Sequence, residues 1–485
     1  MERITYRRRS TVLISAMVVA VMAAACGGSP TSTAPVPTPA ATAAPTREPL
    51  AVPTSAPPAA TATKASPTAT PTPRPTQVPI NTPTPKVAAL SALSTNGPWL
   101  VYNTDHGVFA ANADGTGRLL LTDTVPLRND LPEGASSSGG WLALRTGDTP
   151  MEGTTATSQT LTLSMLHLPD GQFKTITPLF SPEMDKAIRD AQGDRTDAVE
   201  AGIAIAFNRD TMSWSPDGRY LAFIAAIDGP SSDLYSYDIQ TGQINRLTDG
   251  PNQAATLSWS PDSRWIVHQE VDNFGTGAGW SVKAVWAAAP DGNNTKKLYD
   301  APETGGGENV IGWTAPDTFI VYTWGADHPK DARSVNVNTG EATPIDLDVV
   351  KSGLWNDIVW SPATERFYVT SFEGGIASVA LDNQVTHFEG ESLQPSISPD
   401  GKFLAFWGNS AYGPRDGVRV YSPDGNVIRE VTTDPTDFVA WRPDGQGLFY
   451  VSDGSLYYVP MPDGQPTPID EGVQVSVEGG VGWVR

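Results

Sequence analysis

From about residue 96 to the C-terminus, apolar residues come in short runs separated by Gly, Pro and Asp. The stretch WSPDGRYLAF, Trp214 to Phe223, shows the pattern. Pro216 suits the second position of a type I turn, Asp217 can follow it, and Gly218 supplies the positive φ that returns the chain to a strand. Beyond the turn, Tyr220, Leu221, Ala222 and Phe223 form a nearly continuous apolar run, as in a strand buried on both faces. The phrase predicts strand, tight turn, strand.

The phrase recurs. Copies are WSPDSRWIVH from Trp259, WTAPDTFIVY from Trp313, ISPDGKFLAF from Ile397 and WRPDGQGLFY from Trp441, with a looser WSPATERFYV from Trp360. A second phrase with two strand-like runs around another Gly turn follows each copy, such as LYSYDIQTGQINRLTDG from Leu234 and VRVYSPDGNVIREVTTD from Val418. Four short antiparallel strands in about 45 residues are the period and content of a propeller blade. No unit shows a 3.6-residue apolar period, which excludes helical solenoids.

The two ends of the chain complete one unit. GPWLVYNTDHGVFAANADGTGRLLLTD, from Gly97, matches the repeat from its second strand onward, and VGWVR, Val481 to Arg485, reads as a first strand with nothing after it. A blade split between the termini pairs two strands that would otherwise be open edges. First strands fall near Ala135, Trp214, Trp259, Trp313, Trp360, Ile397, Trp441 and Trp483. The prediction is an all-β chain with a single β-propeller of eight four-stranded blades, or seven if the degenerate ASSSGGWLALRTG unit near Ala135 does not form one. The recurring Trp is expected to pack between blades rather than to face a ligand.

The W-S-P-D-G phrase, with its following D-x-x-T-G or P-D-G hairpin, resembles the propeller repeats of the TolB component of the bacterial Tol–Pal system. It is also similar to the propeller domains of prolyl-oligopeptidase-type enzymes. The resemblance spans nearly all of residues 96–485 and implies the fold; it does not imply a function, because these residues build turns and core. The chain departs from both groups. No α/β domain precedes Gly97, as it does in TolB, and no G-x-S-x-G elbow marks a hydrolase domain.

The first 95 residues read differently. Arg3, Arg7, Arg8 and Arg9 precede TVLISAMVVAVMAAA, a run shorter than the roughly 20 residues a spanning helix needs. It ends at Cys26, the only cysteine, so a disulfide within the chain is excluded. AAAC resembles the lipobox of bacterial lipoprotein signals, although Ala23 stands where Leu is usual. The resemblance implies a signal peptide at 1–25 and an acylated Cys26. Residues 30–86 hold 16 prolines among Thr, Ala and Ser, a composition that cannot bury enough surface to fold. Residues 26–95 are therefore expected to be anchor and linker, and the protein to sit lipid-anchored on the outer face of a bacterial membrane.

Residues 96–485 carry 24 Lys and Arg against 51 Asp and Glu, a net charge near −27. That balance argues against nucleic acid and against an anionic lipid surface as partners. Twelve of the acids are Asp directly before Gly, where turn chemistry accounts for them first.

No HExxH, CxxC, P-loop or EF-hand occurs, and the sequence predicts no cofactor and no metal centre. The five histidines, His106, His167, His268, His328 and His387, are scattered over separate blades. The long connections, between blades and between second and third strands, are the expected binding face. They bring Trp280, Trp324, His328, Arg333, Trp355, Tyr412 and Arg415, a mixture of aromatic and Arg side chains that suits interface anchors. Residues 178–210 form an insertion after the second blade in which Ser181 caps a helix, Pro182 begins it, and Met184 and Ile188 share a face. Two function classes follow. The first is a tethered module that binds a protein, peptide or glycan of the cell envelope and is not an enzyme. The second is a small propeller hydrolase or lyase using carboxylates and His at the channel mouth.

Overall fold

The computed structural model describes residues 92–485 except 124–130, 148–160, 192–193, 195, 208–210, 230, 273–281, 302–306, 325–330, 346–354, 372–374, 389–393, 409–415 and 476–479. Eight antiparallel sheets follow one another along the chain and form an eight-bladed β-propeller. Seven have four strands in meander order, and the first strands of successive blades lie side by side.

Ring closure is as the sequence predicts. Val481–Val484 pairs with Trp99–Thr104, which continues to Gly107–Asn112 and Leu119–Thr122 in the same sheet. The register sets Trp99 opposite Val484 and Tyr102 opposite Val481. The chain already packs on this blade before the first strand: Leu93 lies against its core and the Ser94 carbonyl accepts the Trp99 indole N–H at 3.1 Å.

The blade near Ala135 differs. It keeps three strands, Trp141–Thr146, Thr162–His167 and Phe173–Pro178, and its innermost position is reduced to one bridge between Ala135 and Leu142. The run ASSSGG has no β-branched or aromatic side chain to hold a strand. A one-turn helix, Leu131–Gly134, fills part of the space instead, with Leu131 fully buried beside Val484.

The continuous apolar runs have a simple cause. Successive side chains of a strand point to opposite faces, and in a propeller both faces meet another blade. In Trp99–Thr104, Trp99 and Val101 join the cluster shared with the second blade, while Leu100 and Tyr102 join the cluster shared with the eighth. Apolar clusters occupy every junction between neighbouring blades around the ring.

The repeated Trp ties blades together. The indole N–H of Trp214 donates to the Gly134 carbonyl at 2.7 Å, Trp259 to Ser213 O at 3.1 Å, and Trp313 to Ser258 Oγ at 3.0 Å. Trp360 reaches Trp313 O at 3.2 Å and Trp441 reaches Ser396 O at 3.0 Å. Each bond runs from one blade back to the start of the one before it. The Ser and Asp of the phrase lock its turn. Ser215 Oγ accepts from Tyr220 N at 2.9 Å and donates to Asp217 Oδ1 at 2.6 Å, with Gly218 at φ +70°. Ser260–Asp262 and Ser398–Asp400 repeat the arrangement.

The insertion contains two helices, Pro182–Asp190 and Asp197–Phe207. Ser181 caps the first, accepting from Met184 N at 3.0 Å, and Met184 and Ile188 are its buried face. The second, which the sequence reading did not separate, adds Val199, Ala201, Ala204 and Ile205 to the core shared by the second and third blades. Arg145 of the second blade donates to its Ile205 carbonyl. The insertion is thus built into the ring's core.

Candidate binding face and inter-blade cleft

The two faces of the ring are built differently. First-to-second and third-to-fourth turns are short, and the Ser–Asp contacts above lock the first-to-second turns of the third, fourth and seventh blades. The other face carries the connections between blades and between second and third strands. Some of these are tight, such as Thr104 to Gly107 and Ser452 to Ser455, and others run from Thr146 to Thr162 or from Val271 to Val282.

The residues expected at that face have different standings. Cys26, Trp280, His328, Tyr412 and Arg415 lie outside the described residues. Trp324 closes the strand Thr318–Trp324 and Trp355 opens Trp355–Ser361, which puts both backbones at the edge of the long connections. Arg333 is described in full and is committed inside the ring. Its guanidinium pairs with the buried Glu308, lies 3.4 Å from Thr323 Oγ1 and sits 5.0 Å over the Tyr299 ring. Tyr299 also donates to Glu308 at 3.2 Å. Burial and the Glu308 charge push the Tyr299 phenol up, so it stays a donor. Arg333 joins the fourth and fifth blades.

A cleft of about 290 Å³ opens between the third and fourth blades, around the connection that runs from Leu247 to Asn252. Its walls include Asp233, Thr248, Gln253, His268, Glu270 and Trp286. Asp233 begins the third strand of its blade and is 1 % exposed. Arg246 donates to it at 2.7 Å, Thr248 Oγ1 at 2.8 Å and Ser231 Oγ at 3.2 Å. Burial raises the Asp233 carboxyl above the usual range, and those bonds pull the other way. Arg246 also reaches the exposed Asp249 at 3.0 Å.

His268 and Glu270 sit two residues apart on Ile266–Val271 and so face the same side, toward the third blade. Glu270 accepts from the Trp286 indole at 2.6 Å and from Asn252 Nδ2. His268 is 3 % exposed; its Nδ1 approaches the Gln269 carbonyl at 3.5 Å and its Nε2 has no partner. Burial drives the imidazole down to about 4, against the opposing pull of the Gln269 carbonyl and Glu270. At neutral pH the ring is uncharged. With the proton on Nδ1, Nε2 is an acceptor without a donor.

The cleft has a sequence cause. The side chain that faces the preceding blade at the end of the phrase is Phe223, Phe406 or Tyr450 in three copies and Val369 in the looser one, but the second copy has His268 there. A smaller, polar ring takes an aromatic position between two blades, and IVHQEV carries Glu270 one pleat further on. The histidine was visible as one of five scattered over the blades; the signal that singles it out is its place in the repeat.

Restoring the aromatic makes a pH prediction. Unfolded His titrates near 6.5, while His268 in the ring titrates near 4. Above pH 6.5 the group is neutral in both states and adds no pH dependence. Between 6.5 and 4 the unfolded chain takes up a proton that the ring refuses, so stability declines as pH falls, by about 3 kcal/mol in total. His268→Phe should remove that decline. Urea melts of both proteins at pH 7, 5.5 and 4.5 should show a gap in stability that widens toward acid; a constant gap would mean that His268 does not titrate this way.

No protein-family model matches the chain, and no curated protein matches it. Solved structures similar to it include a eukaryotic initiation factor at 15 % identity and TM-score 0.49, covering 81 % of this chain and 89 % of that one. A prolyl endopeptidase is 15 % identical with TM-score 0.44 over 72 % of this chain. TolB from Acinetobacter baumannii is 15 % identical with TM-score 0.32 over 71 %. The match covers 51 % of the endopeptidase chain. Such similarity concerns the fold, which the eight sheets establish by themselves.

Proposed function

We propose that the protein is a membrane-tethered, extracytoplasmic β-propeller that binds an envelope protein, peptide or glycan through its loop-bearing face, without turnover. The observation that supports this reading is the difference between the faces. One carries only short turns in blade after blade, including the Ser–Asp-locked turns of the third, fourth and seventh blades, and the other varies in connection length from blade to blade. Variation on one side of a rigid scaffold is where recognition is placed. His268 also suits binding better than acid–base work, because a base titrating near 4 is poorly matched to neutral pH. The tether is the acylated Cys26 that the lipobox resemblance implies. Among the described residues no helix is long and apolar enough to cross a membrane.

The test is to replace Trp324, Trp355 and Tyr412 singly with Ala in the full-length protein and measure capture of envelope proteins and glycans. Each variant should melt like the parent and lose binding by roughly 30-fold, as a hot-spot aromatic does. The strong negative charge predicts that capture of a basic partner weakens as salt rises. If all three variants bind normally while the protein turns over a glycan or peptide, the enzyme reading replaces this one.

A further inference from the structure

The geometry points to a pocket for a primary ammonium group in the cleft between the third and fourth blades, held by the Glu270 carboxylate and His268 Nε2. The inference goes beyond capture on the loops and does not depend on it.

What the cleft lacks defines what it takes. The two aspartates, Asp233 and Asp249, both pair with Arg246. Glu270 accepts hydrogen bonds only from neutral partners, Trp286 and Asn252, while Lys297, which feels the Glu270 charge, makes its ion pair with Asp300. Each of its oxygens accepts one bond and has room for another. His268 Nε2, on a side chain that is 3 % exposed, lacks a donor altogether. Leaving a buried acceptor unmade is unfavourable, so the position favours whatever supplies the missing bond. Missing together are a cation in direct contact and several N–H donors.

A primary ammonium supplies both, with three donors on one small centre. A quaternary ammonium has no donor, and a neutral hydroxyl has no charge. A divalent metal is a poor fit, since the described residues bring no three His, Cys, Asp or Glu side chains into a ligating group. The spacing is suitable. Residues two apart on a strand are roughly 7 Å apart along it and point the same way, so a group between the two side chain ends meets both. The volume, about 290 Å³, accommodates an alkyl chain behind the charge, against Leu247 and Ala254. Asp249, with 81 % of its side chain exposed, marks the solvent-facing rim.

The chemistry is shared by a lysine side chain and by the α-ammonium of an amino acid or peptide end. Calorimetric titration of the full-length protein separates them, with pentylamine as the general probe, Nα-acetyl-lysine amide for the side chain and leucine amide for the α-ammonium. Pentylamine should bind in the millimolar range or tighter, and 1-pentanol should not. Glu270→Gln, which removes the charge and keeps the shape, should weaken pentylamine at least tenfold. His268→Phe, which refills the aromatic position, should abolish it. Preference for one amide identifies the source. Absence of pentylamine binding, equal binding of pentanol, or an unchanged affinity in Glu270→Gln would overturn the inference. Retained binding in a His268→Phe protein that melts normally would overturn it too. None of these outcomes bears on capture by Trp324, Trp355 and Tyr412, whose test stands separately.

Discussion

Deleting Val481 to Arg485 opens the ring and lowers its melting temperature by about 5 °C or more, with aggregation on heating. Four of those residues, Val481–Val484, are the innermost strand of the first blade. Val481 and Val484 are buried, and Trp483 packs edge-on against Phe449 of the eighth blade at 5.4 Å. Burying two Val and most of a Trp is worth roughly 5 kcal/mol by area, a large share of the 5–15 kcal/mol that holds a domain folded. The strand also supports both neighbours. Arg485 N donates to Ser136 O at 3.0 Å, and Gly140 N donates to Arg485 O at 2.7 Å, which fastens the three-stranded blade. Unfolding entropy of about 2.1 cal/mol/K per residue makes the loss roughly 1 °C per kcal/mol for a ring of this size. The truncated first blade then presents Trp99–Thr104 as an apolar open edge, the kind that pairs with other chains. Calorimetry and light scattering during heating check both effects. An unchanged transition would mean that the end strand is dispensable to the ring.

Replacing Cys26 with Ala should remove the protein from the membrane fraction or leave a full-length precursor. The reasoning is chemical. The segment before Cys26 is shorter than a spanning helix needs, and residues 30–86 offer only scattered large apolar side chains. The ring's net charge near −27 repels an anionic leaflet. On the proposed reading, retention therefore falls to acyl chains on Cys26, which contribute about 0.8 kcal/mol per buried CH₂, and two chains anchor stably where one does not. Fractionation and intact mass read the result directly. Mass should fall by the lipid in the variant if processing occurs, or rise by the signal segment if it does not. Unchanged mass and fractionation would remove Cys26 from the proposal and leave an ordinary export signal or an uncleaved anchor.

The ring's architecture was legible because each of its signals is local. A turn such as WSPDG needs its Pro, Asp and Gly at adjacent positions, and a strand buried on both faces needs an unbroken apolar run. The split blade was legible for the same reason, since Trp483 and Trp99 each carry half of a phrase that the rest of the chain spells in full. The weak ASSSGG unit marked the one blade whose first strand shrinks to the Ala135–Leu142 bridge.

What the sequence left open depends on neighbours that are distant in the chain. Arg333 looked like a loop anchor because its partner, Glu308, lies 25 residues earlier, and only the pairing of strands brings the two together. The insertion's first helix could be read from its cap and stripe, whereas its role as part of the core between two blades could not. The cleft is the clearest case. His268 and Glu270 share a strand, but Asp233 and Trp286 come from other strands, and the cleft exists only where two blades meet. Sequence by itself determined the repeat and the closure, since these follow from periodicity and turn chemistry, and left the count at eight or seven until the three-stranded second blade settled it. Tertiary structure decided which polar side chains are paired and which acceptor is left unmatched, because hydrogen-bond satisfaction in a buried junction is a property of both faces at once.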